Sequence, residues 1–175
     1  MTLKPPGAAD WPLAAGLYAA ALQATAHAFQ AAGYAPCTLC LQQREVYWGI
    51  LAFAAAVIGL RLLLRARMRD GWVALCFAVL FGVSFAAAGY HAGVEWKWWP
   101  GPETCATGGA PGTITAEDLA AVLSGEKRVR PPACDEPAWI FAGLSMAGWN
   151  AVLSLVMAAL SLVVAVRSRE TRGVT

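Results

Sequence analysis

Four stretches of the chain run for about one membrane thickness with almost no charge: Trp11 to Tyr34, Val46 to Leu64, Trp72 to Tyr90 and Trp149 to Val166. Each is near the ~20 residues a helix needs to cross the hydrocarbon core. Backbone left unpaired in lipid is not tolerated, so these stretches predict helices rather than open sheet. The expected fold class is an all-α membrane protein, a four-transmembrane-helix bundle forming one membrane domain over residues 1–175. The longest polar interval, about Ala92 to Ala138, separates the third and fourth stretches. Within it, Thr115-Ala116-Glu117-Asp118 reads as a helix start, Leu119, Val122 and Leu123 share one face, and Gly125 ends the pattern. A short helix on the membrane surface is predicted there. Its flanks, Gly108 to Gly112 and Arg130-Pro131-Pro132, predict extended, mobile connections.

Composition agrees with a membrane protein: 58% of residues are hydrophobic and 14% charged, with a mean hydropathy of +0.52. That charge is too thin for an ordinary soluble surface. The net charge of +2 is gathered at membrane flanks rather than on a folded face, which excludes a nucleic-acid-binding surface. Arg61, Arg65, Arg67 and Arg69 fill the link between the second and third stretches, and Arg167, Arg169 and Arg172 follow the fourth. By the positive-inside rule both regions and both termini are cytoplasmic. The first stretch should be retained rather than cleaved, because Pro5, Pro6 and Asp10 precede it and Lys4 is its sole upstream side-chain cation.

This orientation puts Cys37, Cys40, Cys105 and Cys134 on the non-cytoplasmic side, where disulfides persist, and leaves Cys76 inside the third stretch. Four cysteines in two loops allow three pairings, which the sequence does not resolve. Proximity favours Cys37 with Cys40 and Cys105 with Cys134. Pro36-Cys37-Thr38-Leu39-Cys40 stands at a helix start, where the helix dipole and nearby cations favour the reactive thiolate. Arg44 follows Cys40 by one helical turn on the same face. It can stabilise both a Cys40 thiolate and negative charge on an electron acceptor.

Taken together, the pieces resemble the DsbB family of bacterial inner-membrane disulfide oxidoreductases. The motifs that carry the resemblance are Pro-Cys-x-x-Cys with Arg44, Tyr90-His91 closing the third stretch, Trp98-Trp99-Pro100-Gly101-Pro102 before Cys105, and Cys134 leading through Trp139 and Gly143-Leu144-Ser145-Met146 into the last stretch. The resemblance implies a bound quinone, ubiquinone or menaquinone, and a periplasmic thioredoxin-fold partner of the DsbA type. It also implies roles: Cys105 forms the mixed disulfide with the partner, Cys134 relays to Cys37, Cys40 faces the quinone, and Arg44 binds beside it. Glu95, in place of an expected glutamine, and the Gln42-Gln43 pair before Arg44 depart from the best-known members.

Duller roles compete with these. Arg44 can be a snorkelling anchor, and Trp96, Trp98 and Trp99 an aromatic belt. His91 reads equally as a quinone hydrogen-bond partner and as a plain interfacial histidine. Gln23, His27 and Gln30 share one face of the first stretch and predict interhelical hydrogen bonds. Cys76 is expected to be a buried small apolar residue. No metal is expected, because neither a second CxxC nor an HxxxH accompanies the first pair. Two alternatives to the main reading are a relative of the vitamin K epoxide reductases and a disulfide-stapled membrane scaffold.

Overall fold

Pro12 occupies the first turn of α1 (Trp11–Ala31), where a missing N–H has no helical partner to lose. The computed structural model describes residues 8–66, 68–102, 105, 124 and 133–173. The expected surface helix and its flanks lie outside the described residues, save Ser124. Three more helices follow: α2 (Thr38–Leu63), α3 (Asp70–Glu95) and α4 (Met146–Gly173). Gly33, with φ of +99°, turns the chain out of α1, and its N–H bonds the Gln30 carbonyl. The chain then enters α2 eight residues before the apolar stretch begins, because Cys37 serves as its N-cap.

Between α3 and α4 a two-stranded antiparallel hairpin forms from β1 (Ile140–Phe141) and β2 (Leu144–Ser145), with Phe141 opposite Leu144. Ala142 and Gly143 both have positive φ, 49° and 80°, the pattern of a two-residue type I′ turn. The hydrophobicity pattern does not announce this element, since alanine seldom occupies such a conformation.

The bundle core is built from Ala15, Ala19, Ile50, Ala54, Val57, Ala74, Phe77 and Phe81, all buried. Phe77 meets Phe53, and Phe81 meets Tyr18, in edge-on contacts with ring centroids 5.0 and 6.0 Å apart. Small residues set the helix spacing. A Cβ on Gly16 would stand 3.1 Å from that of Ala54, and one on Gly71 would strike the Ser168 hydroxyl of α4. Close backbone approach of this kind drives association between helices in lipid, where apolar burial alone gives little. Trp11 Nε1 donates to Ser161 at 3.1 Å, and Arg61 pairs with Asp70 at 2.6 Å, tying the opposite end of the bundle from the cysteines.

Leu17, Leu62, Leu63, Val79 and Leu155 point outward and are at least half exposed, the inverse of a soluble surface. Among the described residues, three helices are long and apolar enough to cross a membrane: α2, α3 and the Met146–Arg169 part of α4. The expected fourth span, α1, is not among them, because Gln23, Thr25, His27 and Gln30 lower the hydropathy of its second half. Cys76 is not buried as expected. It is exposed on the outside of α3, while Val73, Ala74 and Phe77 take the inward positions.

Candidate redox site

Cys37 and Cys40 sit on the first turn of α2 as a pair of free thiols. The Cys37 sulfur accepts the Cys40 backbone N–H at 3.2 Å, in the manner of an N-cap oxygen, and lies 2.8 Å from the Cys40 sulfur. These contacts lower the Cys37 thiol to about 4, the Cys40 hydrogen bond contributing most and His91 adding to it. The donors around its sulfur thus favour the thiolate at Cys37. An N-capping sulfur receives several donors at once, and the sulfur one turn inside the helix supplies one of them.

Position 91 of α3 completes the group. His91 is buried, with Nε2 3.6 Å from the Cys37 sulfur and Nδ1 2.7 Å from the Gln43 side-chain nitrogen. One turn further along α3, Glu95 places a carboxylate oxygen 3.8 Å from His91 Nε2. Its other oxygen accepts the Ser145 hydroxyl, and that hydroxyl also accepts the Gly148 N–H at 3.0 Å to cap the start of α4. Three helices thus converge on one imidazole.

A polar chain runs from this imidazole into the bundle. Asn150 donates to the Gln43 carbonyl. The Tyr47 hydroxyl donates to Asn150 at 2.6 Å and meets Ser154 at 3.0 Å, which meets Ser84 at 2.9 Å. In an apolar interior these groups satisfy one another, since each left alone would carry a desolvation penalty. Sequence reasoning passed over Gln43 as a ligand of His91 and missed Asn150 and Tyr47 entirely. Asn150 was visible as a polar residue inside an apolar stretch, a position that marks function by default.

Cys105 and Cys134 form a disulfide across 29 residues of sequence. Both residues belong with Cys37, Leu39 and Val94 to one buried cluster, against which Cys40 also rests. The Cys105 N–H bonds the Pro102 carbonyl at 2.8 Å, and Asp135, beside Cys134, pairs with Lys97 at the end of α3. That ammonium holds the Asp135 carboxyl below its usual range. Trp99 lies over Gly93, where any side chain would collide with its ring, and stacks on Tyr90.

A cavity of about 380 Å³ opens beside Cys40, walled by Leu22, Phe29, Trp139, Trp149 and Leu153, with Gln43, Arg44 and His91 also on its lining. Arg44 donates to the Gln30 side chain and, at 2.9 Å, to the Ala26 carbonyl. Gln23 reaches the Arg44 carbonyl at 3.3 Å, so the polar stripe of α1 makes interhelical hydrogen bonds as expected. Trp96, Trp98 and Trp99 form an exposed aromatic cluster.

Residues 9–164 match the protein-family model described as Disulfide bond formation protein DsbB. The chain belongs to the DsbB family. Neither the curated proteins nor the solved structures compared with it give a match. DsbB membership makes the chain a multi-pass membrane protein with disulfide oxidoreductase activity. Within DsbB terms, a dithiol and a disulfide packed in the same cluster are the parts that thiol–disulfide exchange uses.

Proposed function

We propose that this protein reoxidises a periplasmic thioredoxin-fold dithiol oxidase of the DsbA type and delivers the electrons to a membrane quinone. The observation that carries the reading is the shared burial of Cys37, Cys105 and Cys134, with Cys40 on the cavity side of the same cluster. Thiol–disulfide exchange needs a thiolate to reach a disulfide sulfur directly, and this packing brings the two pairs within such reach.

The steps balance in bonds and electrons. A partner thiolate attacks Cys105, breaking Cys105–Cys134 and leaving a mixed disulfide with a Cys134 thiolate. The partner's second thiolate then displaces Cys105, so the partner is oxidised and Cys105 and Cys134 are reduced. With Cys37–Cys40 in its disulfide form, Cys134 attacks Cys37 and Cys40 departs as thiolate; Cys105 then attacks Cys134, restoring Cys105–Cys134 and releasing Cys37. A leaving thiol of low pKa departs faster, and the donors around Cys37 provide that.

The cavity suits a quinone in size and character, since sites for such ligands are commonly ~300–1,000 Å³, apolar, with a few placed polar groups. A quinone held there would supply the oxidising power, accepting the two electrons and two protons that the Cys37–Cys40 dithiol gives up when its bond re-forms. Arg44 is the permanently charged group on the lining and would hold a ring oxygen; His91 would serve a second polar contact while facing Cys37. In this reading α1 is the fourth span, its polar stripe turned onto α2. The arginine-rich link and the end of α4 are cytoplasmic, and the cysteines face the periplasm of an inner membrane.

Purified protein supplied with a reduced thioredoxin-fold oxidase should oxidise it only when a quinone is present, with one quinol formed per disulfide. Oxidation of the dithiol at the same rate without quinone or oxygen would overturn the reading.

A further inference from the structure

The sequence shows two soft ligands at the CxxC and no others near it; the fold adds two more. Cys37 Sγ, Cys40 Sγ and a His91 ring nitrogen all lie within 4.8 Å of one another. A carboxylate oxygen of Glu95 stands 3.8 Å from His91 Nε2. We propose that the dithiol form of this centre is a binding site for a thiophilic divalent cation, zinc or cadmium, with Cys37, Cys40 and His91 as ligands and Glu95, next to His91 but outside the three-residue cluster, swinging in as the fourth.

The geometry can be checked against a tetrahedron. With zinc–sulfur and zinc–nitrogen bonds of about 2.3 and 2.05 Å, tetrahedral ligands stand roughly 3.8 Å apart for two sulfurs, 3.6 Å for sulfur and nitrogen, and 3.4 Å for nitrogen and oxygen. The Cys37–His91 separation is 3.6 Å and the His91–Glu95 separation 3.8 Å. The sulfur pair, at 2.8 Å, must open by about 1 Å to take two tetrahedral positions. Cys40 is the less buried member of the pair and borders the cavity, so the site has an entry path. Ligation through Nε2 requires the ring proton on Nδ1. The Gln43 amide faces that atom and accepts its proton if Gln43 and Asn150 both turn end for end, Asn150 then accepting from Gln43 and donating to Tyr47; the histidine so gains the outer partner that metal-bound imidazoles keep.

Binding needs both sulfurs as thiolates and so displaces the Cys40 proton, while the Cys37–Cys40 disulfide has no thiolate to offer. The cation therefore takes the reduced form alone and withholds it from oxidation. The binding stands on geometry; its effect on turnover rests on the function proposed above.

The test uses the full-length protein in detergent, reduced, freed of reductant and kept anaerobic. Titration with cadmium should give one equivalent of thiolate-to-metal absorption in the ultraviolet, absent after oxidation, and zinc should compete for it. Cadmium NMR on the unsubstituted protein should show mixed sulfur, nitrogen and oxygen ligation. His91→Ala should weaken affinity by at least about tenfold and Glu95→Gln by less, while Cys76→Ser leaves it unchanged. Pre-loading with zinc should stop quinone-linked oxidation of the partner, and a chelator should restore it. Equal cadmium affinity in His91→Ala, an all-sulfur NMR signature, or binding that follows Cys105 and Cys134 would each overturn the site. Stoichiometric binding with unchanged turnover would overturn the regulatory consequence. A protein without quinone-linked activity would sink the proposed function while the spectroscopic titration still decided the metal site.

Discussion

Gln43 holds Nδ1 of His91 at 2.7 Å, which leaves Nε2 of the same ring facing the Cys37 sulfur. The orientation of the imidazole is thus set from α2, the helix that carries both thiols, although the histidine belongs to α3. Gln43 is itself held by Asn150 from α4. Substituting Gln43→Leu removes the group that aims the ring and leaves the Asn150 amide without its acceptor. An unsatisfied buried polar group costs about 1–3 kcal/mol, so thermal unfolding in detergent should move to lower temperature and turnover should fall with it. Unchanged stability and turnover would show that Cys37 and Glu95 fix the ring without Gln43.

The lowered Cys37 thiol makes a prediction about pH. A depressed pKa means the charged form is favoured in the folded protein, so the thiolate is fully present at neutral pH and is lost as pH falls through about 4. An ordinary thiol near 8.5 would lose about tenfold in thiolate for each unit below that value. Ultraviolet thiolate absorbance of the reduced protein, taken as the difference from Cys37→Ser, should therefore stay flat between roughly pH 6 and 8. His91→Ala removes one donor and should bring the titration upward. A difference signal that rises steeply between those pH values in the unsubstituted protein would contradict the hydrogen-bonded thiolate.

If Cys105 receives the partner and Cys134 is the departing sulfur, a partner whose second cysteine is replaced by serine should stay bonded to Cys105, because the thiolate that would displace Cys105 is gone. A non-reducing gel of the unsubstituted protein with that partner should show the adduct, and Cys105→Ser should abolish it. An adduct mapped by mass spectrometry to Cys37 would reverse the direction of transfer.

Arg44 spreads its guanidinium between the Gln30 side chain and the Ala26 carbonyl while lining the cavity. A lysine keeps the charge but offers one compact ammonium in place of this fork. Arg44→Lys should insert normally and show a raised apparent KM for quinone. Loss of one charge-assisted hydrogen bond is worth roughly 1.5–3 kcal/mol, which puts the fall in kcat/KM on the order of ten- to a hundredfold. Quinone kinetics indistinguishable from those of the arginine protein would reduce Arg44 to an anchor.

Much of this was legible before the structure. Helices announce themselves through long apolar runs, and a CxxC at the start of one is a local signal. Facing was harder. α3 is apolar on every side, so nothing in its sequence told that Cys76 points out and Phe77 in. The company kept by His91 depends on how α2, α3 and α4 pack, a relationship spread over more than a hundred residues from Cys37 to Asn150. Polar residues set inside those apolar runs, Gln43, Tyr47, Ser84, Asn150 and Ser154, were the available hint. In lipid such groups must find one another, and read as a set they trace the buried chain that no local motif describes. The Ala142-Gly143 turn stayed hidden because its first residue is a poor witness to positive φ.

The hairpin that this turn closes bears on how far each outer cysteine can travel. Trp139 follows Cys134 by five positions and is packed against Phe29 on the cavity wall, with ring centroids 5.2 Å apart. Five residues reach at most about 17 Å fully extended, so Cys134 is on a short tether whose far end is the cavity itself. Cys105 lies ten positions beyond the end of α3, a tether of up to about 35 Å. Once the bond between them opens, the two sulfurs have different ranges: one can go out to meet a macromolecule, the other is kept at home near Cys37. In the proposed relay, the order of electron transfer would then follow chain length as much as chemistry.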